Sequence, residues 1–143
     1  MKSYKILEEI FTSQITVLSI AVPVQPLTLE EAKKECLENN FDVHLVPDLR
    51  NDSLMVYERN TDRLRPLCDS EVIADSTPML EVVEALYNKE HLFVKLKRNI
   101  THMVSRADID RIPVRIWLYG LISLFEIGLK EKIKQSCPGW TTN

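Results

Sequence analysis

An internal repeat is the feature that most restricts how this chain can fold. Two segments each read as a helix followed by two strands. The matched positions are Thr28 with Thr77, Val46 with Val94, and Met55-Val56 with Met103-Val104. Because self-similarity with a period of about fifty residues indicates paired supersecondary units, the sequence predicts an α/β fold of the α+β type, built from two βαββ-type repeats packed as a pair.

The repeat divides the chain into five predicted parts. They are an N-terminal helix at 1–15, a degenerate first repeat at 16–70, a second repeat at 71–112, a long C-terminal helix at 113–136 and a tail at 137–143. In the first repeat, Thr28 followed by Glu31 predicts a capping box at the start of a helix. A loop is predicted from Asn60 to Cys68, where polar residues and a proline accumulate.

The segment from His91 to Asp108 contains the strongest candidate site. Its apolar runs Leu92–Leu96 and Ile100–Val104 flank a polar turn, so a β-hairpin is predicted. The second strand leads directly into Ser105-Arg106-Ala107-Asp108. A Ser followed three residues later by an acid is typical of a helix N-terminus, where the hydroxyl accepts from free N–H groups.

The same arrangement also suits a nucleotide. A helix N-terminus offers N–H groups and a positive dipole end to a phosphate, and a fixed carboxylate can accept hydrogen bonds from both hydroxyls of a ribose. These four residues alone do not separate a cap from a ligand site, and the cap is the simpler interpretation of them.

Composition and charge argue against several functions. A net charge of −3 gives no reason to expect nucleic acid or an anionic membrane surface as a partner. The three cysteines are too few and too scattered for a disulfide scaffold, so reduced thiols and a cytoplasmic location are expected. The three histidines lack a second ligand at metal spacing, so no metal site is expected. The apolar run Ile15–Val24 is interrupted by polar residues and a proline, so neither a signal peptide nor a membrane span is expected.

The second repeat resembles a cystathionine-β-synthase-type (CBS) domain in three stretches, which are Ile73–Val83, Leu92–Val94 and Ile100–Asp108. The segment Leu27–Leu64 resembles a more degenerate copy of the same domain. The region 16–112 therefore resembles a Bateman module, which is a pair of CBS domains. Such modules bind adenosyl ligands such as AMP, ADP, ATP or S-adenosylmethionine in the cleft between their repeats. They regulate other proteins or domains and do not catalyse reactions.

The resemblance implies a set of binding residues. The family signature is a Gly, two apolar residues, Ser or Thr, two variable positions and Asp, and Ser105 and Asp108 match its hydroxyl and acid positions. His102 stands at the Gly position, where its side chain would restrict or reshape the pocket. The implied nucleotide-binding set is Ser105, Asp108, Arg106, His102, Val94, Ile73 and Ser76.

The first repeat departs from that signature. Tyr57 stands at the hydroxyl position and Asn60 at the acid position. The resemblance therefore implies Tyr57 and Arg59 as the contacts of a second site. Arg59 would reach a phosphate from across the cleft.

The C-terminal helix is the other informative segment. Val114–Ile133 carries apolar residues on more than one face, whereas a helix at the surface of a monomer needs only one apolar stripe. Packing across both repeats accounts for part of this surface. A homodimer through Trp117, Leu121 and Phe125 is expected to cover the rest.

The expected function is a regulatory module that binds an adenine nucleotide or another adenosyl ligand, needs no cofactor and acts on an unidentified protein. No nucleophile or general base is placed to work with a partner, so no enzymatic activity is expected. The alternative is a ligand-free dimerisation scaffold of the same fold. His102 and the altered first-repeat signature favour that alternative.

Overall fold

The computed structural model describes residues 2–140, which form a mixed α/β structure. The helices are α1 (Lys2–Glu9), α2 (Leu29–Glu38), α3 (Met79–Asn88) and α4 (Ile112–Ser136). The strands are β1 (Val22–Pro23), β2 (Val43–Asp48), β3 (Ser53–Glu58), β4 (Arg63–Pro66), β5 (Val72–Ala74), β6 (His91–Leu96) and β7 (Asn99–Ser105). Short helical turns span Ile10–Gln14, Val17–Ser19, Asp69–Glu71 and Arg106–Asp110. Residue 1 of the predicted N-terminal helix and residues 141–143 of the predicted tail lie outside the described residues.

The strands form two sheets, and one of them contains strands from both repeats. The larger sheet has the order β1-β7-β6-β5 and the smaller has the order β2-β3-β4. The predicted hairpin is confirmed, because β6 pairs with β7 antiparallel from His91↔Ser105 to Leu96↔Asn99. Strand β1 of the first repeat pairs with β7 of the second through Val22↔Met103. The fold-class prediction is confirmed, with β1 of the first repeat joining the sheet formed by the second repeat.

The core lies on both faces of the larger sheet. Because successive side chains of a strand point to opposite faces, Val94 and Val104 pack towards α3 and α4, while Phe93 and Met103 pack towards the smaller sheet. The inter-repeat cluster consists of Val24, Val43, Leu45, Val56, Phe93 and Met103. Ser105 lies two residues beyond Met103, so its side chain faces the gap between the repeats.

The prediction of a loop at 60–68 is wrong, because this segment contains β4. The chain reverses at 59–62, where Asp62 adopts a left-handed φ of 48° that an Asp tolerates. Arg65 of β4 then forms a bidentate pair with Glu71, with Nη2 at 2.6 Å from Oε1 and Nη1 at 2.7 Å from Oε2. Its Nε also donates to Glu58. These tertiary ion pairs, which no local propensity reports, hold the strand in place.

The N-terminal segment covers one face of α4. The indole Nε1 of Trp117 donates to the carbonyl oxygen of Phe11 at 2.7 Å. The Phe11 ring packs where Gly120 leaves space, since a Cβ at Gly120 would overlap it. Trp117 is buried and Leu121 packs against the same core cluster. Of the three residues predicted at the dimer interface, these two therefore belong to the chain's own core.

The helix α4 also carries a long apolar segment. Among the described residues it is the one helix long and apolar enough to cross a membrane, with a mean hydropathy of 1.5 over an 18-residue window. No such span was expected from the sequence. Core helices of soluble proteins that meet the same criterion are mostly buried, whereas only 17% of this window is buried within the chain, at Val114, Trp117 and Leu124.

Candidate functional site

A cleft of about 330 Å³ lies between the two repeats. Its walls come from β1, the loop before β2, the start of β6 and the turn after β7. The lining residues are Val22, Asn40, Phe41, Asp42, Glu90, His91, Met103, Ser105, Arg106, Ala107, Asp108 and Arg111. The cleft therefore contains three of the seven residues predicted for nucleotide binding, which are Ser105, Arg106 and Asp108.

Ser105 and Asp108 form a capping box at the end of β7. The backbone N–H of Ser105 donates to Asp108 Oδ2 at 2.7 Å, and the Ser105 hydroxyl donates to the same oxygen at 3.0 Å. The box starts the helical turn Arg106–Asp110. Asp108 is only 8% exposed, so its carboxylate is held in one position at the cleft wall.

Arg111 is a residue that the sequence analysis missed. Its Nη2 lies 2.8 Å from Asp108 Oδ1, and its Nη1 donates to the carbonyl oxygen of Ile20 at 3.3 Å. Both carboxylate oxygens of Asp108 thus have partners within the chain. Oδ2 accepts two hydrogen bonds from Ser105, whereas Oδ1 has one partner and a second lone pair left for a ligand. The spacing of an acid and an arginine three residues apart on a helical turn was a signal that could have identified the pair.

Arg106 lines the cleft but is tied to the end of α3. Its Nε donates to the carbonyl oxygen of Leu86 at 3.0 Å and its Nη2 to that of Tyr87 at 3.4 Å. Glu90 lies 3.8 Å from its Nη1. A guanidinium donates up to five hydrogen bonds, so Arg106 retains donors for an anion in the cleft.

His91 and Asp42 were also missed, and they connect this cleft to a neighbouring one. His91 Nε2 lies 3.8 Å from Asp42 Oδ2. Burial lowers the pKa of His91, while the nearby Asp42 carboxylate opposes that shift. Both residues also line an adjacent cleft of about 350 Å³ that contains Arg65 and Lys89. The hairpin register, which sets His91 opposite Ser105, was a signal that could have identified His91.

The remaining predicted residues of the second repeat lie away from the cleft. Val94 is buried in the cluster under α3 and α4, and Ile73 packs against that cluster. His102 pairs with Val94 in the sheet, and its Nδ1 is 2.8 Å from the Thr101 hydroxyl. Ser76 is exposed in the turn before α3. The structure therefore does not bring these four residues together with Ser105 and Asp108.

The two predicted first-repeat contacts have partners within that repeat. The buried Tyr57 hydroxyl donates to Asp62 at 3.1 Å. Arg59 donates to Cys36 O at 3.1 Å, and to Asn40 Oδ1 and Asp42 Oδ1 at 2.9 Å each. After β3 the chain turns into β4, so this repeat has no helix N-terminus at the corresponding position. Arg59 does not line the cleft, but it holds Asn40 and Asp42, which do.

A side chamber of about 200 Å³ adjoins the cleft. The two spaces share Val22, Phe41 and Met103 as common walls. The chamber is further lined by Leu27, Glu35 and His44. The chamber therefore lies beside the cleft, and its lining combines apolar side chains with the polar residues Gln25, Glu35 and His44.

No protein-family model and no curated protein sequence matches this chain. Four chains of solved structures match it. One of them, described as "Crystal structure of CBSX2 in complex with AMP", has a TM-score of 0.54 and 18% sequence identity, and the match covers 71% of this chain and 98% of that one. A structural match at this low sequence identity is evidence about the fold alone. The matched fold agrees with the two sheets and with the capping box between β7 and the following turn. The chain has a CBS-domain fold.

Proposed function

We propose that this chain is a regulatory module that binds an adenine nucleotide in the cleft between its repeats. The observation that carries the proposal is the buried Asp108 carboxylate, which Ser105 and Arg111 hold at the cleft wall. The similar structure of CBSX2 contains AMP, which is the chemistry proposed here. S-adenosylmethionine shares the adenosyl group and is the second ligand to test.

The residues around the cleft suit the three parts of a nucleotide. The free lone pair of Asp108 Oδ1 would accept from a ribose hydroxyl. Arg106 and Arg111 would donate to phosphate oxygens, because guanidinium groups match the geometry of phosphate. The apolar walls Val22, Phe41 and Met103 would contact the base.

A CBS-domain fold is typically regulatory, and the proposal includes no catalytic role. The regulated protein would respond to the arrangement of the repeats, which the ligand would stabilise by contacting both. Cys36, Cys68 and Cys137 are free thiols in the structure, which suits the reducing conditions of the cytoplasm that we propose as its location.

The test compares ligand-induced stabilisation in the wild type and in Asp108→Ala. At about one hundred times its dissociation constant, AMP should raise the free energy of unfolding of the wild type by about 2.7 kcal/mol, because it binds only the native state. Asp108→Ala should lose most of this shift, and its stability without ligand should fall by about 1 kcal/mol through loss of the cap.

Asp110→Ala is the matched control. Asp110 is on the same turn, but its side chain is 85% exposed and pairs with Arg115, so this variant should keep the AMP response. ADP, ATP and S-adenosylmethionine are measured in parallel. A flat response of the wild type to all four at millimolar concentration would refute nucleotide sensing.

The outer face of α4 favours dimerisation as a second function, compatible with the first. Four of its apolar residues are spaced by four, three and four positions, as in a helix seam. They are Leu118 (46% exposed), Ile122 (54%), Phe125 (70%) and Leu129 (48%). We propose a second copy of the chain as the partner, since a two-fold axis would place this stripe against itself.

A further inference from the structure

His44 is a buried histidine beside the side chamber, and the proposed nucleotide contacts do not include it. It lies on β2 and is only 4% exposed. Its Nδ1 lies 3.1 Å from the carbonyl oxygen of Leu45. Because a carbonyl oxygen only accepts, Nδ1 must carry the hydrogen. In the neutral ring Nε2 is then an acceptor with a free lone pair.

The Nε2 atom of His44 faces open space. Within residues 2–140, Nε2 of His44 has no hydrogen-bond partner. In the same range, no side-chain nitrogen or oxygen is both fully buried and unpaired, so Nε2 must reach open space. The chamber that His44 lines provides that space. A ligand that fills the chamber would cover this lone pair, so it must supply a hydrogen-bond donor there.

Two further polar side chains line the chamber. Glu35 Oε1 accepts from the Asn39 amide at 2.8 Å, and an ionised carboxylate is acceptor-only. Gln25 is exposed, and its amide has both donors and an acceptor. At His44 the chamber is therefore suited to a group that donates a hydrogen bond, because a carbonyl oxygen at that point would face the Nε2 lone pair.

We propose that His44 is a specificity-determining residue that accepts a hydrogen bond from the exocyclic amino group of adenine. The inference rests on the proposed function, because it requires the nucleotide to place its base in the chamber. The chamber shares Val22, Phe41 and Met103 with the cleft that contains Asp108, so the base would lie in the space next to the ribose. Hypoxanthine carries a carbonyl oxygen in place of the amino group, so it leaves the His44 acceptor without a donor.

The test measures the dissociation constants of AMP and IMP by calorimetry at pH 8, above the range in which histidines usually titrate. The wild type should prefer AMP roughly 10- to 100-fold, the factor expected for leaving one buried acceptor unpaired. His44→Leu should reduce this preference to less than about threefold. Lys34→Leu is the control, because Lys34 is 74% exposed on α2 and should keep the wild-type preference.

A second readout does not depend on the folding of a variant. In wild-type protein with ¹⁵N-labelled histidine, AMP should shift the Nε2 resonance of His44 as its lone pair accepts a hydrogen bond, and IMP should not. If AMP binds and Asp108→Ala abolishes that binding, but AMP and IMP bind equally, the role of His44 is refuted and the proposed function stands. If neither nucleotide binds, the proposed function itself fails.

Discussion

At the scale of single residues, the gap between the repeats contains a histidine whose environment disfavours its charged form. Burial lowers the pKa of His91, and Asp42 at 3.8 Å offsets only part of this shift. The unfolded chain has no such burial, so its His91 titrates near pH 6.5, the ordinary value. Between that value and the lower pKa of the folded state, the unfolded state binds more protons than the native state.

The free energy of unfolding should therefore fall as the pH drops below about 6.5, and this contribution should level off below the folded pKa. His91→Gln cannot be protonated, so its stability should change less between pH 7.5 and pH 5.5. Urea unfolding at several pH values measures both slopes. Equal slopes in the two proteins would show that His91 does not carry the effect.

At this scale the sequence predicted part of the candidate site. Ser105 and Asp108 could be paired from their spacing, because a capping box is a local pattern. Arg111 and His91 reach the same cleft through the turn after β7 and the hairpin register, which are local signals that the prediction of the site did not use. His102 and Val94 were assigned to the site by resemblance, but strand alternation turns them to the opposite face.

At the scale of elements, two glycines let the N-terminal segment approach α4. A Cβ at Gly120 would overlap the Phe11 ring, whereas a Cβ at Gly128 would lie 3.4 Å from the Tyr4 hydroxyl. Glycine inside a helix costs about 1 kcal/mol relative to alanine. At Gly120 this cost is offset by the close packing of Phe11, whose carbonyl oxygen also accepts from Trp117.

Gly120→Ala should lower the free energy of unfolding by about 1–3 kcal/mol, because the added methyl group displaces Phe11 from a packed position. Gly128→Ala is the matched control on the same helix. It should be neutral or stabilising by up to about 1 kcal/mol, since its methyl group makes an ordinary contact. Denaturant unfolding compares the two, and a Gly120→Ala protein as stable as the Gly128→Ala protein would contradict this account.

The helices and the hairpin were predictable because their signals are local. The Thr28 capping box is confirmed, with the Glu31 N–H donating to the Thr28 hydroxyl and the Glu31 carboxylate accepting from the Thr28 N–H. Strand β4 was not predicted, since its pairing with β3 and the ion pairs of Arg65 with Glu58 and Glu71 are not encoded in the residue pattern of the strand itself. The pairing of β1 with β7 was missed because the partner strand is remote in the sequence, and the two residues Val22–Pro23 carry no strand pattern of their own.

At the scale of the whole molecule, the apolar outer face of α4 favours self-association. Phe125→Asp should weaken the proposed dimer by about tenfold or more, because it places an unpaired charge in an apolar interface. The side chain is 70% exposed within the chain, so the monomer should stay folded. Ser123→Asp adds the same charge on the side of α4 away from the stripe and should leave association unchanged. Sedimentation equilibrium measures both, and a wild type that is monomeric at high micromolar concentration would refute the dimer.

The pairing of β1 with β7 also affects the order of events during biosynthesis. Val22 emerges from the ribosome early, but its partner Met103 is synthesised only after nearly the whole of both repeats. The strands β2, β3 and β4 can pair among themselves before then, whereas β1 and the apolar residues that face the second repeat stay accessible to chaperones. Closing such a distant pairing is intrinsically slow. The larger sheet and the packing between the repeats are thus completed only after β7 has been made.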